Sequence, residues 1–88
     1  MQYYYIVSKI EKLLAKANNN PDNIRFQEIC NLAEYFGFKL KGGRGSHKVY
    51  SRKGIKEILT FQEVGGMAKP YQVKQLLNII EQYKLEER

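Results

Sequence analysis

Phe38-Lys39-Leu40-Lys41-Gly42-Gly43-Arg44-Gly45-Ser46-His47-Lys48-Val49-Tyr50-Ser51-Arg52-Lys53-Gly54 is the stretch whose reading decides the fold. Upstream of it the apolar residues recur at helical spacing. From Phe38 they alternate instead, Phe38 and Leu40 to one side and Lys39 and Lys41 to the other, which is the pattern of a half-buried strand. Gly42-Gly43-Arg44-Gly45 reads as a hairpin loop, residues 46–52 as a second strand, and Lys53-Gly54 as another turn. A third strand is expected over residues 57–62, which completes a three-stranded antiparallel meander.

Helices flank this meander. Phe26, Ile29, Ala33 and Phe36 share one helical face, Cys30 and Leu32 widen it, and Gly37 is placed to end the helix in a left-handed turn. Downstream, Gly65-Gly66 is expected to break the chain. Pro70 suits the first position of a last helix that carries Val73, Leu76, Leu77, Ile80 and Tyr83 on one face. An earlier helix over residues 3–17 carries Ile6, Ile10, Leu13, Leu14 and Ala17. It starts at Tyr3 or, through a capping box of Ser8 with Glu11, at Lys9, and Asn18-Asn19-Asn20-Pro21-Asp22 stops it. A helix this short is marginal alone, so its stripe must be covered by the second helix, a second copy of the chain or a partner protein. Tyr3-Tyr4-Tyr5 are expected to pack it on the domain.

The expected organisation is a single domain over residues 1–88, with an N-terminal helix and linker at 1–20, a core at 24–83 and a charged, fraying tail at 84–88. The fold class is α+β. Helix, three strands and helix, with both helices burying their stripes on one sheet face, form an α-β-β-β-α arrangement like that of a double-stranded-RNA-binding domain, with an additional N-terminal helix.

A chain of 88 residues has the length of one domain and buries about 60–65% of its unfolded surface, enough for a small core and a surface site. No apolar run approaches the roughly 20 residues of a membrane span, and the first residues mix tyrosines with charges, so a cytoplasmic protein with no membrane association is expected. Cys30 is the only cysteine and His47 the only histidine, which excludes an internal disulfide and a Cys/His zinc site. Cys30 reads as core packing. Glu28, Glu57 and Glu63 show no ligand spacing, so neither a metal nor a cofactor is expected.

The net charge of +6 is concentrated in one window. Lys39, Lys41, Arg44, Lys48, Arg52, Lys53 and Lys56 fall there with no acidic residue between them, while the remainder of the chain carries a slight acidic excess. Such a patch favours a polyanion, and the glycines and Tyr50 would let backbone and a ring approach one closely. The alternative is a solvated loop whose lysines serve solubility.

Gly45-Ser46-His47-Lys48-Val49-Tyr50 and Ala68-Lys69-Pro70-Tyr71-Gln72-Val73-Lys74-Gln75-Leu76-Leu77, in that order and spacing, resemble the HicA family of toxin–antitoxin systems. The resemblance covers residues 24–83. Family members often carry a second histidine or an arginine where this chain has Lys48, and compact members lack the N-terminal helix. The resemblance implies an mRNA interferase, a metal-independent endoribonuclease that is neutralised by a HicB-type antitoxin. The chain would act on mRNA and assemble as a homo-oligomer or within a toxin–antitoxin hetero-oligomer.

The residues offer chemistry for that activity. RNA is cut without metal when a base removes the 2′-hydroxyl proton and the charge growing at phosphorus is stabilised. Histidine suits the proton transfer, since its ordinary pKa of about 6.5 lies near working pH. His47 is the catalytic candidate, with Arg44 or Lys48 to stabilise the charge. The candidate RNA contacts are Lys41, Arg44, Ser46, Lys48, Tyr50, Arg52 and Lys69. Each has a structural alternative. His47 shares a strand face with Val49, and if Val49 points inward His47 is a buried, satisfied ring. Tyr50 either stacks on a base or is ordinary strand composition. Lys69-Pro70 either binds phosphate at a helix start or only begins the helix. At the level of function, the alternatives to the enzyme are a non-catalytic RNA-binding module and an interaction domain whose basic loop binds an acidic protein.

Overall fold

The computed structural model describes residues 2–86, with side chains from residue 9 onward. Helix α1 (Gln2–Asn19) leads through a 3-10 turn (Pro21–Asn23) to helix α2 (Phe26–Tyr35). Strands β1 (Lys39–Gly42), β2 (His47–Ser51), β3 (Leu59–Val64) and β4 (Met67–Ala68) follow, and helix α3 (Pro70–Gln82) completes the chain. The strands form one antiparallel sheet in the order β1-β2-β3-β4.

The sheet therefore has four strands where the sequence suggested three. Gly65 and Gly66, at φ 59° and 81°, close a two-residue hairpin that sets Val64 opposite Met67 and Glu63 opposite Ala68. The outer edge of β4 is covered in turn by the chain entering α2: Ala68 N–H donates to the Ile24 carbonyl at 2.9 Å, and Phe26 N–H to that of Gly66 at 3.0 Å. The third strand also begins later than residue 57. Its ladder with β2 starts at the pair Tyr50–Leu59, and the chain before that pair is spent on the turn in which Ile55 N–H reaches the Arg52 carbonyl at 3.0 Å.

Helix ends follow local chemistry. Glu28 accepts the Arg25 N–H at 2.9 Å to start α2, and its carboxylate also meets Lys16 of α1 at 3.3 Å. At the other end Phe38 N–H donates to the Ala33 carbonyl and Gly37 N–H to that of Glu34, both at 3.0 Å, with Gly37 at φ 91°. This is a Schellman stop. The last helix starts at Pro70 and stops in the same way, with Lys84 at φ 51° and Leu85 N–H on the Ile80 carbonyl at 2.9 Å. Residues 84–86 are thus a cap with Leu85 half-buried rather than a frayed tail; the rest of that segment lies outside the described residues.

Helix α1 runs from Gln2, one residue ahead of Tyr3, the earlier of the two expected starts, and packs on α2 and α3 with Ile10 and Ala17 buried and Leu13 and Leu14 partly covered. Ile6 and the tyrosines at 3–5 lie outside the described side chains. The core fills the space between α2 and α3 and one face of the sheet: Ile29, Cys30, Ala33, Val73 and Leu76 from the helices meet Tyr50, Leu59, Phe61 and Ala68 from the strands. Burial, above all, pushes the Cys30 thiol up from its ordinary pKa, which suits its place in the core.

Candidate functional site

Alternation along β2 places His47, Val49 and Ser51 on one sheet face and Lys48 and Tyr50 on the other. Tyr50 decides which face is which. It is 1% exposed, its ring lies 5.6 Å from that of Phe61, and its hydroxyl donates to Glu34 Oε2 at 2.7 Å. Burial first, and then the bond to Glu34, raise its phenol well above the ordinary range. The expectation that Tyr50 stacks on a base is therefore corrected: it is a core residue with its polar tip satisfied.

The opposite face is open. His47, Val49 and Ser51 of β2 pair with or adjoin Thr60 and Gln62 of β3, and none of the five is buried. The buried-imidazole alternative for His47 is thereby overturned, since Val49 does not point into the core. His47 is exposed at the first position of β2, opposite Gln62, and its N–H closes the hairpin loop on the Arg44 carbonyl at 2.9 Å. Among the described residues nothing hydrogen-bonds its ring. Gly43 holds this corner together. At φ 124°, a Cβ there would run into the His47 carbonyl oxygen and come within 2.9 Å of Lys48 Cα. The glycine lets the loop press on its own second strand.

Lys48 points to the helix side, its Nζ 5.8 Å from the centre of the Phe26 ring, in a depression shared with Arg25 and Glu63. It faces away from His47, so its expected role in stabilising charge at phosphorus is corrected. Arg44 is left for that role, exposed in the loop beside exposed Ser46. Lys69 is half-buried ahead of Pro70, with its Nζ 6.0 Å from the Tyr71 ring. The first turn of α3 is pinned to the sheet by Gln72, only 6% exposed, whose Oε1 accepts the Gln62 N–H at 2.8 Å where β4 is already too short to pair. The α3 start is thereby held beside the residue that faces His47.

Lys41 and Arg52 lie elsewhere. With Lys39, Lys53 and Lys56 they line a groove of about 690 Å³ in which, among the described residues, no acidic side chain takes part. Arg52 Nη1 donates to the Phe36 carbonyl at 2.7 Å, at the C-terminal end of α2 where unpaired carbonyls favour a cation. Lys39 stands opposite Ser51, so this groove is about 13 Å from His47 along β2 at ~3.3 Å per residue.

The expected site residues are thus divided. His47, Arg44 and Ser46 share the hairpin end, Lys69 flanks them at the start of α3, Lys41 and Arg52 lie in the groove at the other end, and Lys48 and Tyr50 face the helices. Lys39, Lys53 and Lys56 counted in the sequence only as charge, although the close spacing of Arg52, Lys53 and Lys56 about Gly54 was a usable signal. Gln72 was missed as well; its only signal was a polar side chain beside Val73 on the apolar stripe.

Among the described residues no group of three His, Cys, Asp or Glu side chains converges as a metal site, and no helix is long and apolar enough to cross a membrane. No family model, no curated protein and no solved structure matches the chain.

Proposed function

We propose that the chain is the toxin of a type II toxin–antitoxin pair: a cytoplasmic, metal-independent endoribonuclease that cuts mRNA and is silenced when a HicB-type antitoxin covers the site. The finer fold reading belongs to this proposal, with β4 as a short extension of a double-stranded-RNA-binding-like core. The observation that carries it is the exposure of the one histidine on the uncovered sheet face, beside a loop that presents Arg44 and Ser46. His47 takes the proton of a 2′-hydroxyl, the 2′-oxygen attacks the adjacent phosphorus, and the 5′-oxygen leaves with a proton from solvent. Arg44 stabilises the charge that builds on the phosphoryl oxygens.

His47→Ala tests it. The side chain is exposed, so stability read from thermal melts should stay within about 0.5 kcal/mol of wild type, as for a surface change. RNA affinity should hold, and cleavage, measured in EDTA, should fall by about 10²–10⁴-fold. A variant that still cuts like wild type overturns the assignment. A wild type that binds RNA but never cuts it favours the second reading, a non-catalytic RNA-binding module, which the cation-lined groove away from His47 also supports.

A further inference from the structure

The groove of Lys39, Lys41, Arg52, Lys53 and Lys56 is not used by the chemistry at His47. We infer that it holds the phosphodiester backbone of the same single-stranded RNA, several nucleotides from the bond that His47 cuts; the inference rests on the ribonuclease reading above.

Five cations converge there, and among the described residues no acidic side chain lies in the lining. Glu57, the acid nearest in sequence, has its carboxylate engaged by the Tyr83 hydroxyl at 2.7 Å. Arg52 is fixed by the Phe36 carbonyl with one of its five donors, so its guanidinium is held in place ahead of any ligand. The lysines at 39, 53 and 56 are exposed and free to follow a strand. Ile58, 60% exposed at the margin, offers apolar surface to a sugar or base.

The ground between groove and histidine suits the same strand. Ser51, Val49, Thr60 and Gln62 form an uncharged path, and among the described residues none of the four is buried under a helix. Its length of about 13 Å corresponds to about four nucleotides at the ~3.4 Å spacing of a stacked strand, fewer if the strand is extended. An acidic protein segment would meet the same cations but would gain nothing from a path that ends at the histidine.

The test uses the full chain carrying Lys39→Gln, Lys53→Gln and Lys56→Gln together. Binding is read with a 2′-O-methyl RNA oligonucleotide, which lacks the attacking hydroxyl. Cleavage is read on an mRNA fragment that wild type cuts, and on fragments trimmed around the cut. Three lost phosphate contacts should flatten the slope of log K against log salt by about 2, so that a variant matching wild type at about 1 M salt binds about 10²-fold more weakly than wild type at about 0.1 M. The long fragment should be cut more slowly by the variant. A fragment trimmed to a single nucleotide on the groove side, too short to span about 13 Å even when extended, should be cut equally by both proteins. Lys→Arg replacements at the three positions should restore wild-type binding.

An unchanged slope and affinity would overturn the inference. So would a variant that keeps its RNA affinity but no longer binds polyglutamate, which would assign the groove to an acidic protein. Parallel assay of His47→Ala separates the two claims. If that variant cuts like wild type while the triple variant loses RNA, the catalytic assignment fails and the groove stands; if the triple variant binds normally while His47→Ala is inert, the reverse holds.

Discussion

Gly43→Ala probes the geometry on which the histidine depends. The new methyl would collide with the His47 carbonyl oxygen and lie 2.9 Å from Lys48 Cα, and both are backbone atoms of β2 that cannot swing aside. Holding a non-glycine residue at φ 124° costs about 1–3 kcal/mol. Displacing two strand residues costs about 1–3 kcal/mol more. A total of about 2–6 kcal/mol is a large share of the roughly 5–15 kcal/mol that stabilises a domain, and it should lower the melting temperature by more than about 8 °C. The neighbouring glycines calibrate the effect. Gly45→Ala meets open space but keeps φ at 56°, so it should cost only about 1–2 kcal/mol. Gly42→Ala has open space without that backbone requirement and should stay within about 0.5 kcal/mol of wild type. Because the clash falls on His47 itself, a shift of about 1 Å in its backbone should cost cleavage about 10²-fold, a loss the other two variants do not share. Thermal melts followed by circular dichroism, with RNA cleavage on the same samples, read both effects. If Gly43→Ala melts together with Gly42→Ala, the loop does not press on β2 and the account of how His47 is placed is wrong.

Two further outcomes follow from the packing. The Tyr50 phenol is raised in the folded state, so its contribution to stability is complete below its ordinary pKa of about 10 and declines as pH rises above that value. Tyr50→Phe should lower stability near neutral pH by about 1–3 kcal/mol and make the alkaline decline shallower while leaving RNA affinity intact; a selective loss of RNA affinity would return Tyr50 to the binding surface. Some decline should remain, because the Tyr83 hydroxyl, bonded to Glu57, is raised too. Removal of residues 1–19 should lower the melting temperature, since burial of Ile10 alone is worth about 1.5–3 kcal/mol, and an unchanged melt would mean that α1 serves an outside partner.

The sequence announced most of the elements through features whose physical cause is local. Gly37 behind an apolar stripe and Pro70 ahead of one are helix punctuation that depends on backbone conformation alone, and both act where expected. What it concealed depends on partners distant in the chain. Strand β4 contains two residues, too few for any alternation, and is a strand only because Val64 and Ile24 bring carbonyls and N–H groups to both of its sides. Lys48 looks like part of the cationic window until the Phe26 ring, on another element, is found beneath it.

The sidedness of β2 shows most sharply where local pattern ends. In His47-Lys48-Val49-Tyr50-Ser51 each face offers one apolar residue, so alternation sorts the side chains into two sets without saying which set is inside. Two quantities break that symmetry. A tyrosine removes far more surface from water than a valine, and its hydroxyl is tolerated inside only if it finds an acceptor. Glu34, one helix away, supplies that acceptor. Once Tyr50 turns inward, His47 must turn outward with Val49, because a strand cannot reverse one side chain without reversing its neighbours. The residue lost from the presumed binding surface and the residue left available for chemistry are thus consequences of a single choice. Glu34→Ala, which removes the acceptor but leaves the ring's apolar area in place, should therefore weaken the fold by about 1–2 kcal/mol without changing the face on which His47 lies.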